Sequence, residues 1–367
     1  MDTLQKNRDY SLDILKILAI FMVCSYHFSL NKYGFAHINS FTFESLISTI
    51  LFMINSICIP LFFLVNGALL LTRPINIKKH IKKSLILIIC HIVFRFITIL
   101  IIGLYSEYNF SALGFKDWVN ATILLGSLPG IDLAHFWFIP MLISIYIISP
   151  FISKMFFSGE NNKTFLIAFI AVLLGFMLIN GDFVILQKCL FGKTFTNFES
   201  LNKLNPFGSA RIGYIFYFLL GGILYTFKEK LLKVKWYWLC LAYIVGFSLL
   251  FCYWHFQNIT WDYIFGAYNL IPTAVMATSI FLLCIKVPNN KIHQCKPLAF
   301  LIKTIGSNTL TIYYTHWILG YTILRIFLPY ISYGPLSNII KALIFVIVGS
   351  LIGFVIKKIP ILKHLAQ

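Results

Sequence analysis

The chain has 367 residues, of which 59% are hydrophobic, 17% aromatic and only 11% charged. Its mean hydropathy of +0.85 and its repeated apolar runs exclude an ordinary soluble enzyme and predict an all-α, polytopic bundle of transmembrane helices. The net charge of +18 sits on lysines in short loops between those runs, where it acts as a topology signal and implies no nucleic-acid partner.

Residues 1–11 are polar and carry Lys6 and Arg8. The run Leu12 to His27, LDILKILAIFMVCSYH, is long enough to start a span yet contains Asp13, Lys16 and His27. Ionisable groups inside a span are costly, which makes them candidates for function. Eleven positions separate Lys16 from His27, so on a helix they share a face to within about 20° and lie roughly 16 Å apart along the axis. Asp13 stands three residues before Lys16, the spacing of a helical ion pair. The bland alternatives are that Asp13 and Lys16 merely flank the span and that His27 is a satisfied core histidine.

A second apolar run ends at a basic cluster, Arg73, Lys78, Lys79, Lys82 and Lys83, so the first two spans read as a hairpin with Lys32 to Glu44 outside. The third span, about 84–104, places His91 and Arg95 on one face at i and i+4. Arg95 near mid-membrane must face the bundle interior, either for function or as a buried ion pair or carbonyl contact that ties helices together. Residues 105–134 read as an outer loop with short interfacial pieces. The fourth span starts near His135, with Trp137 as an interfacial anchor. A fifth covers 165–181, and 182–210 reads as a longer polar outer loop. Arg211 opens the sixth span, which closes with Gly221 and Gly222, small residues that permit close helix approach.

The basic KEKLLKVK segment, 228–235, reads as cytoplasmic. Spans seven and eight cover 236–255 and 263–285, and 286–303 reads as a further basic loop broken by Pro288, Asn289 and Asn290. Span nine, 305–323, brings Tyr313, Tyr314 and His316 into its outer half, and span ten covers 336–356. On this assignment twenty of the thirty Lys and Arg residues fall on one side, which predicts ten spans with both termini cytoplasmic. No stretch remains for a soluble domain, so residues 1–367 read as one integral membrane unit, and the first run lacks the cleavage site of a signal peptide. The eight cysteines lie mostly in apolar segments without metal-ligand spacing, and neither a metal nor a disulfide framework is expected.

The pattern Leu-Asp-x-Leu-Lys, ten residues, then His in the first span resembles the opening signature of the membrane-bound acyltransferase-3 family. Four later segments resemble that family in register: IPLFFLVNGALLL at 59–71, HFWFIPMLISIYIISP at 135–150, RIGYIFYFLLGGILY at 211–225 and IGSNTLTIYYTHWILG at 305–320. Asn66 stands where the family more often has Ser, and paired arginines after the second span are replaced by Arg73 and a lysine cluster. The resemblance implies an acyl-CoA donor, acetyl-CoA above all, and an envelope polysaccharide or lipid-linked sugar as acceptor at a bacterial cell membrane.

Acyl transfer from a thioester to a hydroxyl needs a base for the hydroxyl, a cation for the donor's phosphates and a hydrogen-bond donor for the oxyanion. His27 is the candidate base, because imidazole accepts a proton near neutral pH. Lys16, Arg95 and Asp13 form the candidate donor side, and Arg211, His135, His316, Tyr313 and Tyr314 the candidate acceptor side, with ordinary aromatic packing the simpler role for both tyrosines. The 16 Å spacing of Lys16 and His27 is of the order of an extended pantetheine arm. Direct transfer and a transient acyl-histidine both fit. A transporter or flippase for a lipid-linked sugar is the competing reading, in which the same cations would bind a moving anionic substrate, although such proteins more often show paired broken helices.

Overall fold

The computed structural model describes residues 8–27, 43–73, 75–128, 130–131, 133–157, 161–192, 212–257, 267–327 and 335–360. Among these, the regular structure is helical apart from one isolated bridge between Leu128 and Ile131. Among the described residues, six stretches are long and apolar enough to cross a membrane: Tyr10–His27, Leu46–Leu70, Ile77–Tyr105, Ala134–Met155, Trp236–Trp254 and Ser337–Lys358. Three shorter apolar helices, Thr164–Met177, Gly213–Thr226 and Ile271–Ile285, accompany them.

Helix α1 (Tyr10–His27) is the centre of the bundle. It packs on α2 (Phe43–Asn55), α3 (Cys58–Leu70) and, from the C-terminal third of the chain, α12 (Ile271–Ile285), α13 (Asn289–Gln294), α14 (Lys296–Gly306), α15 (Thr309–Phe327) and α16 (Pro335–Lys358). Its start is fixed by Asp9, whose carboxylate accepts from the Ser11 backbone N–H at 3.0 Å and so caps the first turn. The Tyr10 N–H, another orphan donor of that turn, goes to the Asn289 side chain at 2.8 Å. Asp9 also receives Asn289 Nδ2 at 3.0 Å and the Tyr225 hydroxyl at 2.5 Å. One short polar residue thereby clasps three parts of the chain.

Helix α4 (Ile77–Tyr105) begins at Asn76, whose side chain accepts from the Lys79 N–H. After a short α5 (Phe115–Thr122) come α6 (Phe138–Phe157) and α7 (Asn161–Met177). The expected outer loop from Asp182 is corrected at its start: the chain continues through a π-helical turn, Leu178–Asp182, into α8 (Phe183–Phe191). Asp182 read as a loop opener because it is charged, yet it is buried and accepts from the N–H of Ile271 at 3.0 Å. Ile271 is the first residue of α12, so this carboxylate satisfies a helix start from another helix.

Helix α9 (Ile212–Thr226) crosses α3 with the backbones in contact. A Cβ on Gly221 would lie 2.0 Å from the Leu64 carbonyl oxygen, and one on Gly67 would lie 1.8 Å from that of Phe218. Only glycine allows this approach. Beyond α10 (Lys228–Leu231), α11 (Trp236–Gln257) packs on α12. The basic segment 286–303, expected as a loop, instead contains α13 and most of α14. In α14 the apolar spacing buries Ala299 and Ile302 with Tyr10 and Ile292 as a small core at the N-terminal end of α1, and its lysines occupy other positions.

Candidate functional site

The two ends of α1 carry two chemically different environments. At its N-terminal end Asp13, 3% exposed, pairs with Lys16 Nζ at 2.6 Å and with Arg8 Nε at 2.5 Å. Gly306, at the end of α14, presses against it: a Cβ there would come within 2.7 Å of Asp13 Cβ. The carboxylate is thus packed in place and holds both cations at fixed positions. Arg8 and Lys16 then line a cavity of about 410 Å³, joined by Lys83 from α4. That volume falls within the range of small-molecule sites, about 300–1,000 Å³. Lys357 adds a further cation at this mouth, donating to the carbonyl of Ser307 at 2.8 Å, and Ser307 is itself a lining residue.

From this basic mouth the walls become apolar: Phe62, Leu69, Leu87 and Cys90 lead to Phe138 and Tyr313. Asn66 supplies the polar group of that wall. Its amide donates to the Phe62 carbonyl at 2.8 Å, and its oxygen accepts from the Tyr146 hydroxyl at 3.4 Å. The cavity therefore runs from cations to aromatic rings in the direction from Lys16 toward His27.

At the C-terminal end of α1, His27 is half-buried. Its ring lies 5.3 Å from that of His316 and 5.2 Å from that of Trp317, which meets it edge-on. Trp317 stacks on His135 at 4.6 Å, and His135 in turn lies 5.8 Å from His316. Three histidines from three separate segments thus surround one indole. His316 reaches its position because α15 turns Tyr313, His316 and Trp317 inward, and His316 Nδ1 meets the Tyr313 carbonyl one helical turn back. The Tyr313 hydroxyl donates to the carbonyl of His135, which ties α15 to the short turn Ala134–Trp137 that carries this histidine. His135 is 2% exposed, and neither of its ring nitrogens has a hydrogen-bond partner among the described residues.

A second cavity, about 20 Å³, adjoins His27 and is lined by Val23, Tyr26, Cys58, Ile59, Trp137, Tyr268 and Tyr313. Tyr313 borders both this chamber and the larger cavity. Lys16 and His27 thus line two neighbouring cavities that share Tyr313 as a wall, and His316 lies beside His27 with His135 next to it.

Arg95 is placed elsewhere. Its guanidinium donates to the backbone carbonyls of Ala121 and Gly126 and lies 5.6 Å from the Phe136 ring. It lines neither cavity, and the carbonyl contact expected as one of its alternatives is formed. Arg211 lies outside the described residues, as do residues 28–42 of the expected hairpin turn. Tyr314 is buried and stacks on Phe94 at 4.5 Å, a packing position. Local spacing alone does not mark Arg8, Lys83, Cys58 or Trp317 as site residues, although Arg8 stands five residues before Asp13, near enough for the chain ahead of the helix to fold back, and Trp317 directly follows His316.

A family model described as an acyltransferase domain, that of the acyltransferase-3 family, matches residues 9–357. No curated protein and no solved structure matches the chain.

Proposed function

The chain belongs to the acyltransferase-3 family, and from that premise we propose that it is an integral membrane O-acyltransferase, most simply an O-acetyltransferase, that moves an acyl group from acyl-CoA to a hydroxyl of an envelope polysaccharide or lipid-linked sugar. The observation that carries this reading is the cavity that starts at Arg8, Lys16 and Lys83 and ends at Tyr313, which also borders the chamber of His27. An acyl-CoA has that polarity: phosphates at one end, a pantetheine arm of about the Lys16 to His27 spacing, and a thioester at the tip.

In this reading the cations hold the phosphates and Asp13 fixes two of them. The pantetheine arm lies along Leu69, Leu87 and Phe138, and the thioester reaches His27. The acceptor arrives from the opposite end of α1. His27 takes the proton of its hydroxyl, the oxygen attacks the acyl carbon, and the C–S bond breaks. The thiolate of CoA then takes the proton back from the imidazolium, so atoms and charge balance over the cycle. His316 and Trp317 hold the imidazole at its angle, and His135 and Tyr313 brace that pair. Lys16 and His27 act on opposite ends of one long donor, a division that a single helix provides without a hinge.

The placement follows from the same reading. The six long helices, the three short ones and α15 together make ten spans of one unit, residues 1–367, in a bacterial inner membrane with both termini cytoplasmic. Single cysteines introduced at 228–235 in a cysteine-free background should then react with reagents only from the cytoplasmic side. The direct test incubates purified protein with labelled acetyl-CoA and an envelope-glycan extract. Protein-dependent ester label in the glycan supports the reading, and label that stays on CoA at all protein concentrations overturns it.

A further inference from the structure

The chamber beside His27 is far smaller than the cavity behind it, and the difference bears on which acyl group is transferred. It measures about 20 Å³ against about 410 Å³. One water needs roughly 10–15 Å³ of such space, so the chamber has room for one methyl-sized group and little beside it. Its walls are mostly apolar, with the side chains of Val23, Cys58 and Ile59 and the rings of Tyr26, Trp137 and Tyr268. The Tyr268 hydroxyl is turned to Cys58 Sγ at 4.0 Å. Val23, Cys58 and Ile59 are 2%, 2% and 4% exposed, so the walls are closely packed on their far side.

Resting on the acyl-transfer reading above, we propose that this chamber seats the tail of the acyl group and that Val23 and Ile59 set its length. Tyr313 stands between the two cavities with its hydroxyl held by the His135 carbonyl. A thioester that passes Tyr313 leaves its sulfur on the side of the larger cavity and turns its methyl group into the chamber. The acyl carbon then lies beside His27, where the acceptor oxygen arrives. When the C–O bond forms and the C–S bond breaks, the thiolate is already in the cavity that holds the rest of CoA. A longer acyl chain meets Ile59 and Val23, whose neighbours leave them no room to retreat.

A methylene added or removed in an apolar pocket changes discrimination by about 10–200-fold. The experiment compares acetyl-, propionyl- and butyryl-CoA as donors to one envelope-glycan extract, with wild type, Ile59→Val and Val23→Ala, at matched amounts of folded protein. Wild type should transfer propionyl at least about tenfold less well than acetyl, and butyryl less again. Ile59→Val and Val23→Ala should each narrow the acetyl-to-propionyl ratio of kcat/KM by about tenfold. The proposal is overturned if wild type uses butyryl-CoA as well as acetyl-CoA, or if both variants keep the wild-type ratio. It is equally overturned if the variants change only the KM for the glycan, since the chamber would then serve the acceptor. Absence of transfer from all three donors has a different meaning: it removes the acyl-CoA reading itself, and the acyl seat with it.

Discussion

Replacing Gly221 by Ala probes the crossing on which the donor cavity depends. The added Cβ would sit 2.0 Å from the Leu64 carbonyl oxygen and 2.6 Å from its C and Cα, all backbone atoms. Restoring an ordinary contact of about 3.4 Å means moving α3 and α9 apart by more than 1 Å, because no side chain can rotate away. Overpacking of this kind costs about 1–3 kcal/mol. The displacement also reaches function, since α3 carries Phe62 and Asn66 of the cavity wall and Cys58 and Ile59 of the chamber. Gly175 is the control, because a Cβ there meets nothing within 4 Å and alanine favours a helix by up to about 1 kcal/mol. Thermal unfolding in detergent should therefore drop by several degrees for Gly221→Ala and stay level or rise for Gly175→Ala, with acyl-CoA affinity reduced only in the former. Equal melting of the two variants would refute the backbone contact between α3 and α9.

Asp9 supplies a prediction in pH. Burial alone raises its carboxyl, but hydrogen bonds from Ser11, Tyr225 and Asn289 outweigh that and hold the group below its ordinary value. A carboxylate depressed on folding stabilises above its unfolded pKa, and that contribution is lost as pH falls through the folded one. Asp9→Asn should melt below wild type at neutral pH, with the gap closing as pH falls below about 4; a gap independent of pH would contradict the clasp. Lys16→Gln should weaken acyl-CoA binding by about two- to tenfold, less so at high salt. Arg95→Gln should leave donor affinity unchanged and lower stability by about 1–3 kcal/mol through its unpaired carbonyls, so calorimetric binding that falls in Arg95→Gln and not in Lys16→Gln would reverse the two assignments.

Much of this arrangement was legible because a charge in an apolar run has few places to go. Asp13, Lys16 and His27 announced themselves in the first span, and the helical spacing alone indicated that Asp13 and Lys16 pair, as they do. The glycine pair at 221 and 222 likewise indicated a close crossing, whose partner, α3, only the fold identifies. Arg95 shows the limit. Its burial was readable, but whether a buried guanidinium meets a phosphate or two backbone carbonyls depends on where residues 121–126 fold. The same limit explains Asp182 and the 286–303 segment. Polar residues there read as loops, whereas one carboxylate satisfies the start of a distant helix and the lysines of α14 leave an apolar face for α1. The meeting of His27, His135 and His316 around Trp317 joins residues up to 290 positions apart, and nothing in local spacing encodes it.

The central claim is that His27 takes the acceptor's proton, and transfer per folded molecule in His27→Ala and His27→Gln tests it most directly. Folded protein is counted by gel filtration and acyl-CoA binding, and ester formation is measured on the same sample. Loss of a general base predicts that both variants insert, fold and bind acyl-CoA yet transfer about two to four orders of magnitude more slowly. Gln does not rescue, because an amide donates and accepts hydrogen bonds but takes no proton at neutral pH. A packing role for His27 against His316 and Trp317 predicts the opposite pattern, with less folded protein but near-normal turnover in what remains, and that result would contradict the account.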